Sequence, residues 1–160
     1  MEQTQISIIA DNRKKAQERY QTLKPTYCPA LKDTIFFTSE GFNHLLYKNA
    51  RRERLLQDQH MRYKLIPFVT ELIALSHTVQ DSDEATIQTE IKIKKRRVLQ
   101  TKKVQYWGFL AIIQKYRFKV VVKKQGNGKI IFWSVIPKWK TNRFGNVTVR
   151  SLTSGDLEAE

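Results

Sequence analysis

The chain has 160 residues, 41% of them hydrophobic and 28% charged, and its 29 Lys and Arg outweigh 15 Asp and Glu for a net charge of +14. That length and apolar content exclude an unfolded polyelectrolyte and suit one domain with a sizeable core. A single cysteine, Cys28, excludes an internal disulfide and a cysteine-held metal site.

Residues 2–24 are polar with scattered apolar positions (Ile6, Ile9, Tyr20, Leu23) and read as a helix ended by Pro25 or as a weakly ordered lead-in. The apolar run at 6–10 is too short for a signal peptide and is followed by Asp11. No run approaches the roughly 20 apolar residues of a membrane span, so a soluble protein of a reducing cytoplasm is expected, with no membrane partner. Residues 25–29 read as a loop. Residues 34–37 are a short apolar run, either a brief strand or the lead into a helix. Thr38, Ser39 and Glu40 then supply a helix start, a hydroxyl N-cap with an acid in the first turn. The helical pattern carries Phe42, Leu45 and Leu46 and can run through Leu55 and Leu56 as far as Leu65. Pro67 suits the first turn of a further helix over 68–75, and residues 80–84 form an acidic turn.

The rest reads as four strands. Residues 86–98 alternate, with Lys94 to Arg97 interrupting the pattern as on an edge strand whose charges discourage aggregation. Residues 104–113 are apolar and aromatic. Residues 116–124 alternate strictly, with Tyr116, Phe118, Val120 and Val122 on one face and Arg117, Lys119, Val121 and Lys123 on the other. Residues 130–136 are β-branched and aromatic. The intervening Gln125-Gly126-Asn127-Gly128 marks a hairpin, since a type I′ Asn-Gly turn needs φ > 0 at both central positions. Residues 141–160 fade into a polar tail. Helices first and strands after give an α+β fold, helices packed on a four-stranded antiparallel sheet.

The positive charge belongs to the strands. Residues 86–150 hold 17 Lys and Arg against one acid, Glu90, whereas residues 1–85 hold 12 against 11. A basic sheet face of this kind suits a polyanion such as RNA.

On helical geometry His44, Lys48 and Arg51 share one stripe with Arg52 at its border, a polar face opposite Phe42 and Leu46. Cationic neighbours favour the uncharged imidazole, which can accept a proton. His60 and His77 have no carboxylate or cysteine partner at ligand spacing and read as structural. Paired carboxylates for metal-dependent nuclease chemistry are missing from the pattern, so neither a metal nor another cofactor is expected. Arg117, Lys119 and Lys123 form a row that can hold phosphates or stabilise a pentacoordinate phosphorane. The hydroxyl of Ser134 can orient a phosphate oxygen. Trp133, and Trp139 between Lys138 and Lys140, offer rings on which a base can stack.

Residues 34–48 (TIFFTSEGFNHLLYK), the basic four-strand half and residues 129–139 (KIIFWSVIPKW) together resemble the phage-associated branch of the barnase–EndoU–colicin–RelE-like nuclease superfamily. That resemblance covers about residues 34–139, and the domain is set at 34–140. It implies a nuclease domain there, with a helix and linker over 1–33 before it and the polar tail over 141–160 behind it. It also implies a metal-independent ribonuclease of the toxin or mobile-element type, with His44 as the helix histidine, Arg117 or Lys119 as the strand base and Ser134 as the hydroxyl of the last strand. The sheet has no acidic partner for a Glu/His pair, and the helix has no second nearby histidine.

The expected chemistry is RNA cleavage to a 2′,3′-cyclic phosphate. His44 would be the base, Lys48 and Arg117 would stabilise the phosphorane, and Ser134 would place the phosphate. Arg51, Arg52, Lys119, Lys123, Trp133, Lys138 and Trp139 would bind the nucleic acid, which could be tRNA, mRNA or ribosomal. Two other readings fit the same residues: a nucleic-acid-binding module without catalysis, and a toxin-like domain whose basic face meets an acidic antitoxin or immunity protein.

Overall fold

The computed structural model describes residues 2–49, 52–141 and 147–149. The order is α1 (Glu2–Gln21), β1 (Thr26–Cys28), β2 (Asp33–Phe36), α2 (Ser39–Leu46), β3 (Tyr47–Asn49), β4 (Arg52–Glu53), α3 (Leu56–Leu65), a 3-10 turn (Ile66–Phe68) and α4 (Val69–Leu75). Strands β5 (Asp81–Ile93), β6 (Arg96–Ile113), β7 (Tyr116–Gln125), β8 (Ile130–Pro137), β9 (Trp139–Thr141) and β10 (Val147–Val149) follow.

The fold is α+β, but the sheet is mixed and has six strands, in the order β1-β2-β8-β7-β6-β5. The expected antiparallel core is present as β5 through β8. To it the segment before the first sheet-packed helix adds β1 and β2, with β2 running parallel to β8 through Ile35↔Ile130 and Phe36↔Ile131. The stretch read as a loop at 25–29 is therefore partly strand. Ala16 and Tyr20 of α1 and Cys28 of β1 pack into the same core as α2 and the later strands.

One continuous helix from residue 39 toward 65 is also corrected. Helix α2 stops at Leu46 and Tyr47 is extended (φ −124°, ψ 133°). Arg54 explains the stop: its backbone N–H donates to the Leu46 carbonyl (2.7 Å) and its Nε to the His44 carbonyl (2.9 Å). Two of the last carbonyls of the helix are thus satisfied from outside it. Thr38 stands at the N-cap with extended backbone, but its hydroxyl makes no capping hydrogen bond.

The single strand expected over 86–98 is folded in two. Lys94 (φ 48°) and Lys95 (φ 67°) form the turn of a hairpin, and β6 runs 18 residues from Arg96. The Lys94–Arg97 cluster is the tip of that hairpin, and β5, as expected for this stretch, is an edge strand of the sheet. At the β7–β8 hairpin the residue with positive φ is Gly126 (56°), one position before the expected Asn-Gly pair, and Gly128 N–H closes the turn on the Gln125 carbonyl (3.0 Å). Part of the segment read as a polar tail is paired, β10 antiparallel to β9.

The core lies between the helices and one sheet face, where Phe109, Phe118, Val120, Val122, Phe132 and Val135 are buried. The other face carries a smaller cluster of Val104, Tyr106, Val121 and Ile136, with Ala85, Ile87 and Trp133 packed against it. No helix among the described residues is long and apolar enough to cross a membrane.

Candidate active site

Strand β2 covers only the first two residues of β8, which leaves the remaining edge of β8 to α2 and α3. The approach is close: a Cβ on Gly41 would stand 2.5 Å from the Phe132 carbonyl oxygen. Pairing of β7 with β8 skips one residue, since Val122 faces Phe132 and Val121 faces Ser134. Trp133 is the extra residue of this bulge, a device that redirects neighbouring side chains.

Each side chain finds a different neighbour. The Trp133 indole stacks on the His44 imidazole of α2 (centroids 4.1 Å apart, planes at 20°), and the Lys123 ammonium lies 4.1 Å from the indole centroid. Tyr106 stands beside it at 6.3 Å. Ser134 is fully buried, and its Oγ accepts a hydrogen bond from Nη1 of Arg62 on α3 at 2.7 Å; the same nitrogen reaches the Val135 carbonyl at 3.3 Å.

Arg54 joins the two halves. Its Nη2 lies 3.2 Å from His44 Nε2. A guanidinium only donates, so this contact requires a lone pair on Nε2 and places the imidazole proton on Nδ1. Asp58 sits between the guanidiniums, 3.7 Å from Arg54 Nη1 and 3.3 Å from Arg62 Nε. Burial, and then the charge of Arg62, push the Arg54 guanidinium down to about 10, with Asp58 partly offsetting them. Two buried cations share one carboxylate, and Lys123 adds a third positive charge nearby. Such a site favours an anion.

Four residues expected from the sequence meet here: His44, Lys123, Trp133 and Ser134. His44 is not on an exposed stripe, however; it is 5% exposed. Because α2 ends two residues later, Lys48 and Arg52 lie on β3 and β4 and are exposed. Arg117 and Lys123 do share a face of β7, yet six residues of strand separate them by about 20 Å. Arg117 therefore stands far from His44 and beside the last residues of β8, its carbonyl accepting from Lys138 N–H. Lys119 is fully buried and bonded to Asp81 at 3.0 Å (side chains 0% and 8% exposed), which removes it from the surface row. Lys138 is buried as well. Arg51 and the side chain of Trp139 lie outside the described residues.

Sequence reading missed Arg54, Asp58, Arg62 and Tyr106. A partial signal was the spacing of four between Asp58 and Arg62, one face of α3; Arg54 lies before that helix. Among the described residues no three His, Cys, Asp or Glu side chains converge as a metal site would need. Comparison with protein-family models, with curated proteins and with solved structures finds no match.

Proposed function

We propose that this protein is a metal-independent endoribonuclease that cleaves RNA by attack of a 2′-hydroxyl on the adjacent phosphodiester. The observation that carries this reading is the convergence of His44, Arg54, Arg62 and Ser134 where α2 and α3 meet the edge of β8 beyond β2. A scissile phosphate drawn to the two guanidiniums takes over Arg54 from the imidazole, leaving the Nε2 lone pair of His44 to accept the 2′-hydroxyl proton. The new bond joins the 2′ oxygen to phosphorus. The bond to the 5′ oxygen breaks, and that oxygen takes a proton from solvent. Arg62, held by Asp58 and Ser134, stabilises the charge of the phosphorane. Trp133 holds the imidazole plane, a positioning role in place of base stacking.

The second reading is a nucleic-acid-binding module without cleavage. The 5% exposure of His44 and its contact with Arg54 favour it. An acidic antitoxin or immunity protein would be attracted to the same positive region.

Incubation of wild type and His44→Ala with labelled total RNA in EDTA, followed by end-group analysis, separates the readings. Cleavage to 2′,3′-cyclic phosphate ends that falls by about 10²–10⁴-fold in the variant supports the enzyme. RNA retained on the wild type without cleavage supports the binding module.

A further inference from the structure

Strand β7 pairs with β6 only as far as Gln125↔Val104, but β5 and β6 continue together for eight more pairs, from Thr86↔Lys103 to Ile93↔Arg96. The result is a two-stranded arm on the order of 25 Å long beyond the sheet. We infer that this arm grips a duplex stem of RNA beside the strand that enters the site at His44. The choice of RNA rests on the ribonuclease reading above.

Three observations carry it. The first is charge. Within 86–103 there is one acid, Glu90, which Arg97 engages at 3.8 Å, while Lys103 is held by Glu84. Lys92, Lys94, Lys95, Arg96 and Lys102 make no ion pair among the described residues. They lie on both faces of the ribbon and at its tip, as suits a finger laid between two phosphate-lined strands.

The second is backbone strain. Lys94 and Lys95 both occupy left-handed conformations, at φ 48° and 67°. An Asn-Gly pair fills such a turn with less strain. The chain keeps two lysines at the outermost point against that local cost, and strain of this kind points to function.

The third is the polar middle of the arm, where Gln88 pairs with Thr101 and Thr89 with Gln100. These exposed or partly exposed groups can bond the 2′-hydroxyls of the wide, shallow minor groove of an RNA duplex. The root of the arm is continuous with the site, because Val104 and Ile87 pack in the cluster that contains Tyr106 and Trp133.

The test is fluorescence anisotropy with three probes of equal length: an RNA stem with a single-stranded flank, the single strand alone, and a DNA stem. The single-stranded parts carry 2′-O-methyl groups and each probe is checked for intact length after the titration, so the result does not depend on cleavage. Wild type should prefer the RNA stem. Lys94→Asn/Lys95→Gly should melt at or above the wild-type temperature, bind the stem on the order of tenfold more weakly, and lower the salt slope by about 1.8. Equal stem binding by the double variant overturns the inference, as does a wild type that binds the DNA stem or the single strand as tightly. Failure to cleave RNA removes the ribonuclease reading and leaves the arm's result standing.

Discussion

Arg54 shows how one side chain can end an element and build a site together. It caps the carbonyls of His44 and Leu46 and faces the His44 ring. His44, Lys123, Trp133 and Ser134 were legible in the sequence because their residue types announce chemistry in any context. Arg54, Asp58 and Arg62 were not, because an unbroken helical pattern across 39–65 hid the place where the helix ends. Tyr20 supplies a prediction at this scale. Its hydroxyl donates to the Thr38 carbonyl at 2.6 Å, and burial pushes its pKa well above the usual 10.0. Above pH 10.0 the unfolded chain loses this proton while the folded one keeps it, so the group's contribution to stability is present below that pH and falls above it. Urea melts of wild type and Tyr20→Phe at pH 8 and at about pH 11 should show the wild type losing ground to the variant at the higher pH.

At the scale of elements, α2 is positioned by the absence of a side chain. A Cβ at Gly41 would stand 2.5 Å from the Phe132 carbonyl oxygen and 2.7 Å from the Tyr20 hydroxyl. Alanine is the better helix former by about 1 kcal/mol, but the helix would have to lift from β8. Gly41→Ala should therefore destabilise by roughly 1–3 kcal/mol, read as a lower melting temperature, and should weaken RNA cleavage with it. The long strands were readable from alternation. The brief strand offered at 34–37 is β2, whereas β1 spans three residues, too few for a period to show, and the place of β2 beside β8 was set by a parallel pairing distant in sequence. The β5–β6 hairpin was read as one edge strand because a turn made of two lysines carries no turn signature.

For the molecule as a whole, the basic sheet is less uniform than its composition. Lys119, in the middle of the row, is withdrawn into an ion pair with Asp81 over Gly108, where a Cβ would come 3.0 Å from the lysine Cε. The pair ties β5 to β7 across β6 on the face opposite the helices. Asp81→Ala takes the carboxylate from a buried ammonium and should cost about 3–5 kcal/mol in denaturant melts. Asp81→Leu combined with Lys119→Met should recover most of that loss, since apolar replacements of similar volume commonly match a buried pair. The accessible charge of the sheet half is left to Lys123 near the site, to Lys115, Arg117, Lys124 and Lys129, and to the arm, a distribution that a count of residues could not reveal.

Cys28 gives this architecture a built-in clock. Its thiol is fully buried on the outermost strand of the sheet, and burial pushes its pKa up from the ordinary thiol value. A disulfide reagent can react only in the moments when β1 has come away from β2. The native chain, with no label introduced, therefore reports how often its sheet unzips from that side. If β1 opens without the rest of the molecule, labelling should run well ahead of global unfolding, and Gly41→Ala should accelerate both.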